Sequence, residues 1–247
     1  MESELCLQPE LDLNIIDGKR LWKTEGLFSD HYLKAKIKEN PWWPGNGEVE
    51  KTWIFCKDLY SRRKVPCAKN NEVFTRRELI DPILENLGYA WTDNLRLPAG
   101  SLDLEPDYLL FASKEEKENL IDKDKEARFK AAIGILEAKK LHHPLSQISK
   151  TQGRYPHQQI RDYLNEAQTV NWGILTNGNE WRLYCRDAKP SHYFSISLES
   201  ALSSLENFKF FYVLFSSSAF VRDNDGNAGW IMLKLGHSAH RRNWRMI

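Results

Sequence analysis

Glu137-Ala138-Lys139 places a carboxylate and an ammonium two residues apart, at the end of the apolar run 132–138. On a strand, alternate side chains share a face, so Glu137 and Lys139 point one way and Leu136 and Ala138 the other. Burying such charges costs several kcal/mol unless they are paired or bind a metal. Pro106-Asp107 opens a second apolar run, 108–112. Pairing the two runs gathers Asp107, Glu137 and Lys139 at one spot. That set suits phosphodiester hydrolysis. Carboxylate oxygens bind hard Mg²⁺, which acidifies a bound water. A neighbouring lysine orients or helps deprotonate that water and neutralises the developing charge. Glu137 and Lys139 also read as a plain surface pair at a strand end.

Asp103 and Glu105 flank Asp107 and compete with it as ligands. The formal net charge is +1, so no global basic field marks a nucleic-acid binder. Within 134–163, however, the cations Lys139, Lys140, Lys150, Arg154 and Arg161 face only Glu137 and Asp162, and His142, His143 and His157 add groups that can protonate. A basic stripe beside two acids fits a polyanion held near a metal, although a solvated helix face has the same composition.

These residues need elements to position them. Residues 1–70 are rich in aromatics, among them Trp22, Trp42, Trp43, Trp53 and Tyr60. They are expected as a helical extension packed on the main domain, with base-stacking as the alternative role. Thr75-Arg76-Arg77-Glu78 reads as a capping box, opening a helix with Leu79, Ile80, Ile83, Leu84 and Leu87 at helical spacing. Pro82 should kink it and Gly88 end it. Residues 101–112 read as a strand broken near Pro106, and the charged segment 114–128 as a solvated helix or insertion. Ile160, Tyr163, Leu164 and Ala167 make a helical stripe within 154–168. Residues 172–175 and 180–185 read as strands joined through Asn177-Gly178, a hairpin signal. Residues 198–215 suit one or two helices. The order predicts an α/β (α+β) fold, a mixed central sheet flanked by helices. The expected parts are an N-terminal extension 1–70, a core 71–197 and C-terminal helices with an irregular tail 198–247.

The segments GLFSDHYL, NNEVFTRRELIDPILENLGY, PDYLLF, AIGILEAKK, QQIRDYL and WGILTNGNEWRLY occur in this order. Together they resemble the PD-(D/E)xK nuclease superfamily, and more narrowly the N-terminal cleavage domain of type IIG restriction enzymes. The resemblance runs from about Gly26 to about Gly226. It implies a restriction-endonuclease-like core and Mg²⁺-dependent cleavage of double-stranded DNA, with Mn²⁺ as a substitute. It makes Asp107 and Glu137 metal ligands and Lys139 the catalytic lysine. Gln159 and Tyr163 match the QxxxY pattern of many relatives and share a helix face, though Tyr163 also fits the apolar stripe. Glu78 matches the helix acid that some relatives bring to the metal, and is also the N3 residue of the capping box. Cutting both strands implies a homodimer on DNA, or a partner methyltransferase or specificity subunit. The competing expectation is a non-catalytic DNA-binding fragment that keeps the nuclease fold.

Other readings are set aside. Cys6, Cys56, Cys67 and Cys185 lack paired spacing, so they suit reduced thiols, not zinc. No apolar run approaches the roughly 20 residues of a membrane span, and the acidic N-terminus lacks a signal pattern, so a cytoplasmic protein is expected. Asp223-Asn224-Asp225-Gly226 misplaces the glycine of a calcium loop, and His237 and His240 lie in a basic tail without other ligands. Asn40-Pro41-Trp42-Trp43 lacks the second proline of the methyltransferase motif, and no glycine-rich loop suits S-adenosylmethionine. Type IIG chains continue into methylating and target-recognition parts. Here the pattern ceases after Gly226, so the chain is expected to be a stand-alone subunit or the remnant of a truncated gene.

Overall fold

The computed structural model describes residues 14–16, 19–40, 42–93, 95–97, 104–148 and 153–221. Asp103, Lys150, Pro41, Cys6 and everything after Val221 lie outside them. Two short strands, β1 (Ile15–Ile16) and β2 (Lys19–Arg20), pair antiparallel ahead of β3 (Trp22–Glu25). A long helix follows, α1 (Asn46–Lys69). The next helix has three parts, α2 (Glu72–Thr75), a π-helical turn (Arg76–Ile80) and α3 (Asp81–Asn86). Strands β4 (Ala90–Asp93) and β5 (Tyr108–Phe111) precede two short helices, α4 (Lys114–Glu118) and α5 (Lys125–Ala131). Then come β6 (Gly134–Ala138), α6 (Pro156–Ala167), β7 (Trp172–Thr176), β8 (Glu180–Cys185) and β9 (Tyr193–Ser197). Helices α7 (Leu198–Ala201) and α8 (Leu205–Phe215) close the described chain.

The seven strands β3-β9-β8-β7-β6-β5-β4 form one mixed sheet. Only β6 and β7 are parallel in it, and α6 makes the crossover between them. This is the expected α/β sheet flanked by helices. One face packs Tyr108, Leu136, Ile174, Trp181 and Phe194 against α1, α3 and α8. The other packs Leu109, Ile135 and Leu175 against Ile160, Tyr163 and Leu164 of α6 and Phe129 of α5. A Cβ added at Gly173 in β7 would stand 2.8 Å from Ile160 Cγ1, so the missing side chain lets α6 lie directly on the sheet.

Several elements differ from expectation. Residues 1–70 are not purely helical, because β3 pairs antiparallel with β9 and forms an edge of the central sheet. Their aromatics mostly pack. Trp22, Phe28 and Tyr60 are core residues, Trp43 meets Phe210 edge-on, and Trp53 donates to the Leu202 carbonyl; Trp42 stands exposed. The helix expected from Thr75 begins earlier, since Asn71 accepts the Phe74 N–H as the N-cap. Thr75 is therefore an interior residue, and the capping box with Glu78 does not form. Pro82 follows the π-helical turn, where the Asp81 N–H bonds the Arg76 carbonyl five residues back. Pro82 lacks an N–H and crowds the carbonyl four residues before it, and the wider turn accommodates both. Strand β5 begins only at Tyr108. Gly178 takes φ +84° in the Asn177–Asn179 turn, where a Cβ would also approach Leu79 Cδ2 to 2.9 Å.

Candidate active site

The site forms where β5 begins and β6 ends. Antiparallel register pairs Tyr108 with Leu136 and Leu109 with Ile135. One step further, Asp107 falls beside Glu137, and its Oδ2 accepts the Ala138 N–H at 2.8 Å. Its Oδ1 accepts from Arg76 Nη1 at 2.8 Å. The alternation expected of β6 holds: Leu136 and Ala138 join the α1/α8 side of the core, while Glu137 and Lys139 share the opposite side. Glu137 is 3% and Lys139 6% exposed, so the charges are buried and not a surface pair. Lys139 Nζ donates to Glu137 Oε1 at 2.6 Å. The other oxygen, Glu137 Oε2, is buried without a hydrogen-bond partner. Leaving such an acceptor unpaired costs roughly 1–3 kcal/mol or more.

Helix α6 brings its residues from the second face. Gln159 Nε2 donates to the Tyr163 hydroxyl at 2.6 Å, and that hydroxyl donates to the Glu105 carbonyl at 3.1 Å. Burial raises the Tyr163 pKa first, and the charge of Glu137 raises it further, so the ring stands beside the carboxylate. Tyr163 is thus both core and site. Gln159 touches the cluster through Tyr163.

Sequence reasoning missed Glu72. Burial raises its pKa, Lys139 opposes the rise and Asp107 adds to it. Glu72 therefore belongs to the cluster, on the helix that also carries Arg76. Glu78, the expected helix acid, instead pairs with Arg63 of α1 at 3.2 Å, and it is not among the charges acting on Glu137. The signal available was Asn71-Glu72: an Asn cap puts the next acid at the helix start.

Electrostatics follow from three carboxylates, Glu72, Asp107 and Glu137, around the Lys139 ammonium and the Arg76 guanidinium, which pairs with Asp107. Burial, then Asp107, pushes Glu137 up to about 7, against the pull of Lys139. Burial alone would lower Lys139, but Glu137, its hydrogen bond, Glu72 and Asp107 together raise it. For an isolated pair these two shifts conflict, because a neutral Glu137 would not hold the lysine's proton. Glu72 and Asp107 ease the conflict by adding smaller pulls of their own toward the charged lysine. Lys139 and Arg76 face three carboxylates, so with all three ionised the cluster is short of one positive charge. That shortage and the orphaned Oε2 suit a cation.

Among the described residues, no group of three or more His, Cys, Asp and Glu side chains stands ready to hold a metal ion. Mg²⁺ does not need one, since one or two carboxylates, waters and substrate phosphates complete its octahedron. Asp107 and Glu137 fit that smaller role.

The basic stripe is not one surface. Arg161 is buried and donates to the carbonyls of Cys185, Lys189 and His192. Arg154 lies 3.6 Å from Asp162. Burial and neighbouring cations lower the pKa of His143 and His157, which disfavours their protonation. Glu105 lies 3.6 Å from Arg96. Cys56, Cys67 and Cys185 are free and buried, in line with reduced thiols.

No protein-family model, curated protein or solved structure matches the chain.

One pH effect follows from this geometry. The Glu137 carboxyl sits near 7 in the folded chain against an ordinary 4.5. Between those values the folded state keeps a proton that the unfolded chain has released, so this group's contribution to stability falls as pH rises. Glu137→Gln removes that slope. Thermal melts in EDTA from pH 4.5 to 7 should show wild-type stability declining relative to the Gln variant. Parallel curves would contradict the burial of a titrating carboxyl.

Proposed function

We propose that the chain is a Mg²⁺-dependent DNA endonuclease of the PD-(D/E)xK class, the cutting part of a restriction-modification system. The observation supporting it most is the buried Glu137–Lys139 pair beside the half-buried Asp107, with an unpartnered Glu137 oxygen. Asp107 and Glu137 would hold Mg²⁺, with Mn²⁺ as a substitute. The chemistry that bound Mg²⁺ supplies is polarisation of the scissile phosphate and acidification of a water. The carboxylates around Lys139 favour its charged form, which suits it as a cation toward the developing phosphorane charge. Tyr163 and Gln159 wall the site from α6, and Glu72 adds negative potential from α2. The substrate is double-stranded DNA. Cutting both strands requires a second centre, supplied by a homodimer on DNA or by a partner methyltransferase or specificity subunit. Among the described residues no helix is long and apolar enough to cross a membrane, and we place the protein in the cytoplasm, where its DNA substrate is. Incubated with supercoiled plasmid and Mg²⁺, the chain should produce nicked and linear forms, and EDTA should abolish both. An intact plasmid across Mg²⁺ and Mn²⁺ titrations would overturn the proposal.

A further inference from the structure

Resting on the metal-site reading above, we propose that Arg76 is a positioning residue for Asp107, braced by Tyr108 and Asp81. The π-helical turn sets up the brace. Glu72 and Arg76 are four residues apart and share a helix face. In a regular helix Ile80 would come next on that face. The wide turn inserts one extra residue, and the Asp81 N–H bonds the Arg76 carbonyl instead. Asp81 thereby comes into line beneath Arg76, while Leu79 and Ile80 go fully into the core. Wide turns of this kind are frequent at functional sites.

Each nitrogen of the guanidinium is then engaged. Nη1 donates to Asp107 Oδ1 at 2.8 Å, Nη2 to the Asp107 carbonyl at 3.1 Å and Nε to the Tyr108 hydroxyl at 3.1 Å. The Tyr108 hydroxyl in turn donates a hydrogen bond to Asp81 Oδ1 at 2.6 Å. The guanidinium carbon also lies 4.5 Å from the Tyr108 ring centroid, which fixes the tilt of its plane. Asp107 is thus held from two sides, by Arg76 on Oδ1 and by the Ala138 N–H on Oδ2. A carboxylate oxygen accepts more than one partner, so both oxygens keep capacity for a cation while their direction is set. Arg76 cannot ligate a cation itself. Its effect passes through Asp107.

A purely structural arginine would change stability and leave the metal site alone. The test therefore measures Mn²⁺ binding by isothermal titration calorimetry on the full chain, for wild type, Arg76→Met and Tyr108→Phe, with thermal melts alongside. Orienting partners of metal ligands are typically worth about 10- to 100-fold in affinity. The Arg76→Met dissociation constant for Mn²⁺ should rise by that factor, and that of Tyr108→Phe should rise in the same direction by less. In plasmid nicking kcat should fall with KM for DNA unchanged. If Arg76→Met does not fold, Tyr108→Phe, which keeps the ring, decides alone. A folded variant binding Mn²⁺ as tightly as wild type overturns the positioning role while the metal site stands. A wild type that binds no Mn²⁺ overturns the metal site and the positioning role with it.

Discussion

Lys139→Met and Glu137→Gln should each lower Mg²⁺-dependent plasmid nicking by about 100- to 10,000-fold, the range typical of a positioned acid–base or charge-stabilising group. The two losses have different causes. Lys139 Nζ is the hydrogen-bond partner of Glu137 Oε1. Its removal leaves three carboxylates near one another without their ammonium, and Glu137, already pushed up, takes a proton more readily. The phosphate also loses the cation meant for its developing charge. Methionine keeps the stem's volume, so the packing under α6 persists. Glu137→Gln keeps the shape but removes the charge and places an amide where Oε2 now stands unpartnered. Asp107→Ala belongs to the same series and additionally removes the carboxylate partner of Arg76 Nη1. Single-turnover nicking with Mg²⁺, run beside circular dichroism of each variant, checks the expectation. Wild-type rates in folded variants would remove these residues from catalysis.

Arg161→Met should destabilise the fold by roughly 3 kcal/mol, the loss of several charge-assisted hydrogen bonds to buried carbonyls. For a chain of this size that corresponds to a fall in Tm of roughly 6–12 °C. Arg161 is 8% exposed and reaches the carbonyls of Cys185, Lys189 and His192, at the end of β8 and in the turn before β9. Its guanidinium also lies 5.1 Å from the Tyr184 ring. It therefore ties α6, the helix of Gln159 and Tyr163, to the β8–β9 hairpin. Lysine lacks the planar fork that serves three carbonyls, so Arg161→Lys should not restore stability. Urea unfolding of both variants gives the comparison, and a loss within about 1 kcal/mol would show that the turn is held by other contacts.

What was legible in the sequence depended on range. Local periodicity carried β6 with its Glu137/Lys139 alternation, the Asn177-Gly178 turn with its flanking strands, the Ile160/Tyr163/Leu164/Ala167 stripe of α6, and α7 and α8. What was not legible depended on partners distant in the chain. Strand β3 is four residues long, and only its pairing with β9 makes it part of the sheet. Arg161 reads as one more cation on a polar helix face until three backbone carbonyls surround it. The helix acid was misplaced for a local reason. The Thr75–Glu78 spacing imitates a capping box, whereas Asn71 holds the real cap, and the choice between two overlapping starts was made by packing. The π-helical turn has no period of its own to read, and it is what brings Asp81 under Arg76.

The central claim is that Asp107 and Glu137 form a divalent-cation site with Lys139 beside it. Anomalous scattering from crystals of the chain soaked in Mn²⁺ tests this most directly. The predicted result is a Mn²⁺ peak at Asp107 and Glu137, absent from Glu137→Gln crystals. A wild-type crystal with no peak there, or with Mn²⁺ bound only elsewhere, would contradict it.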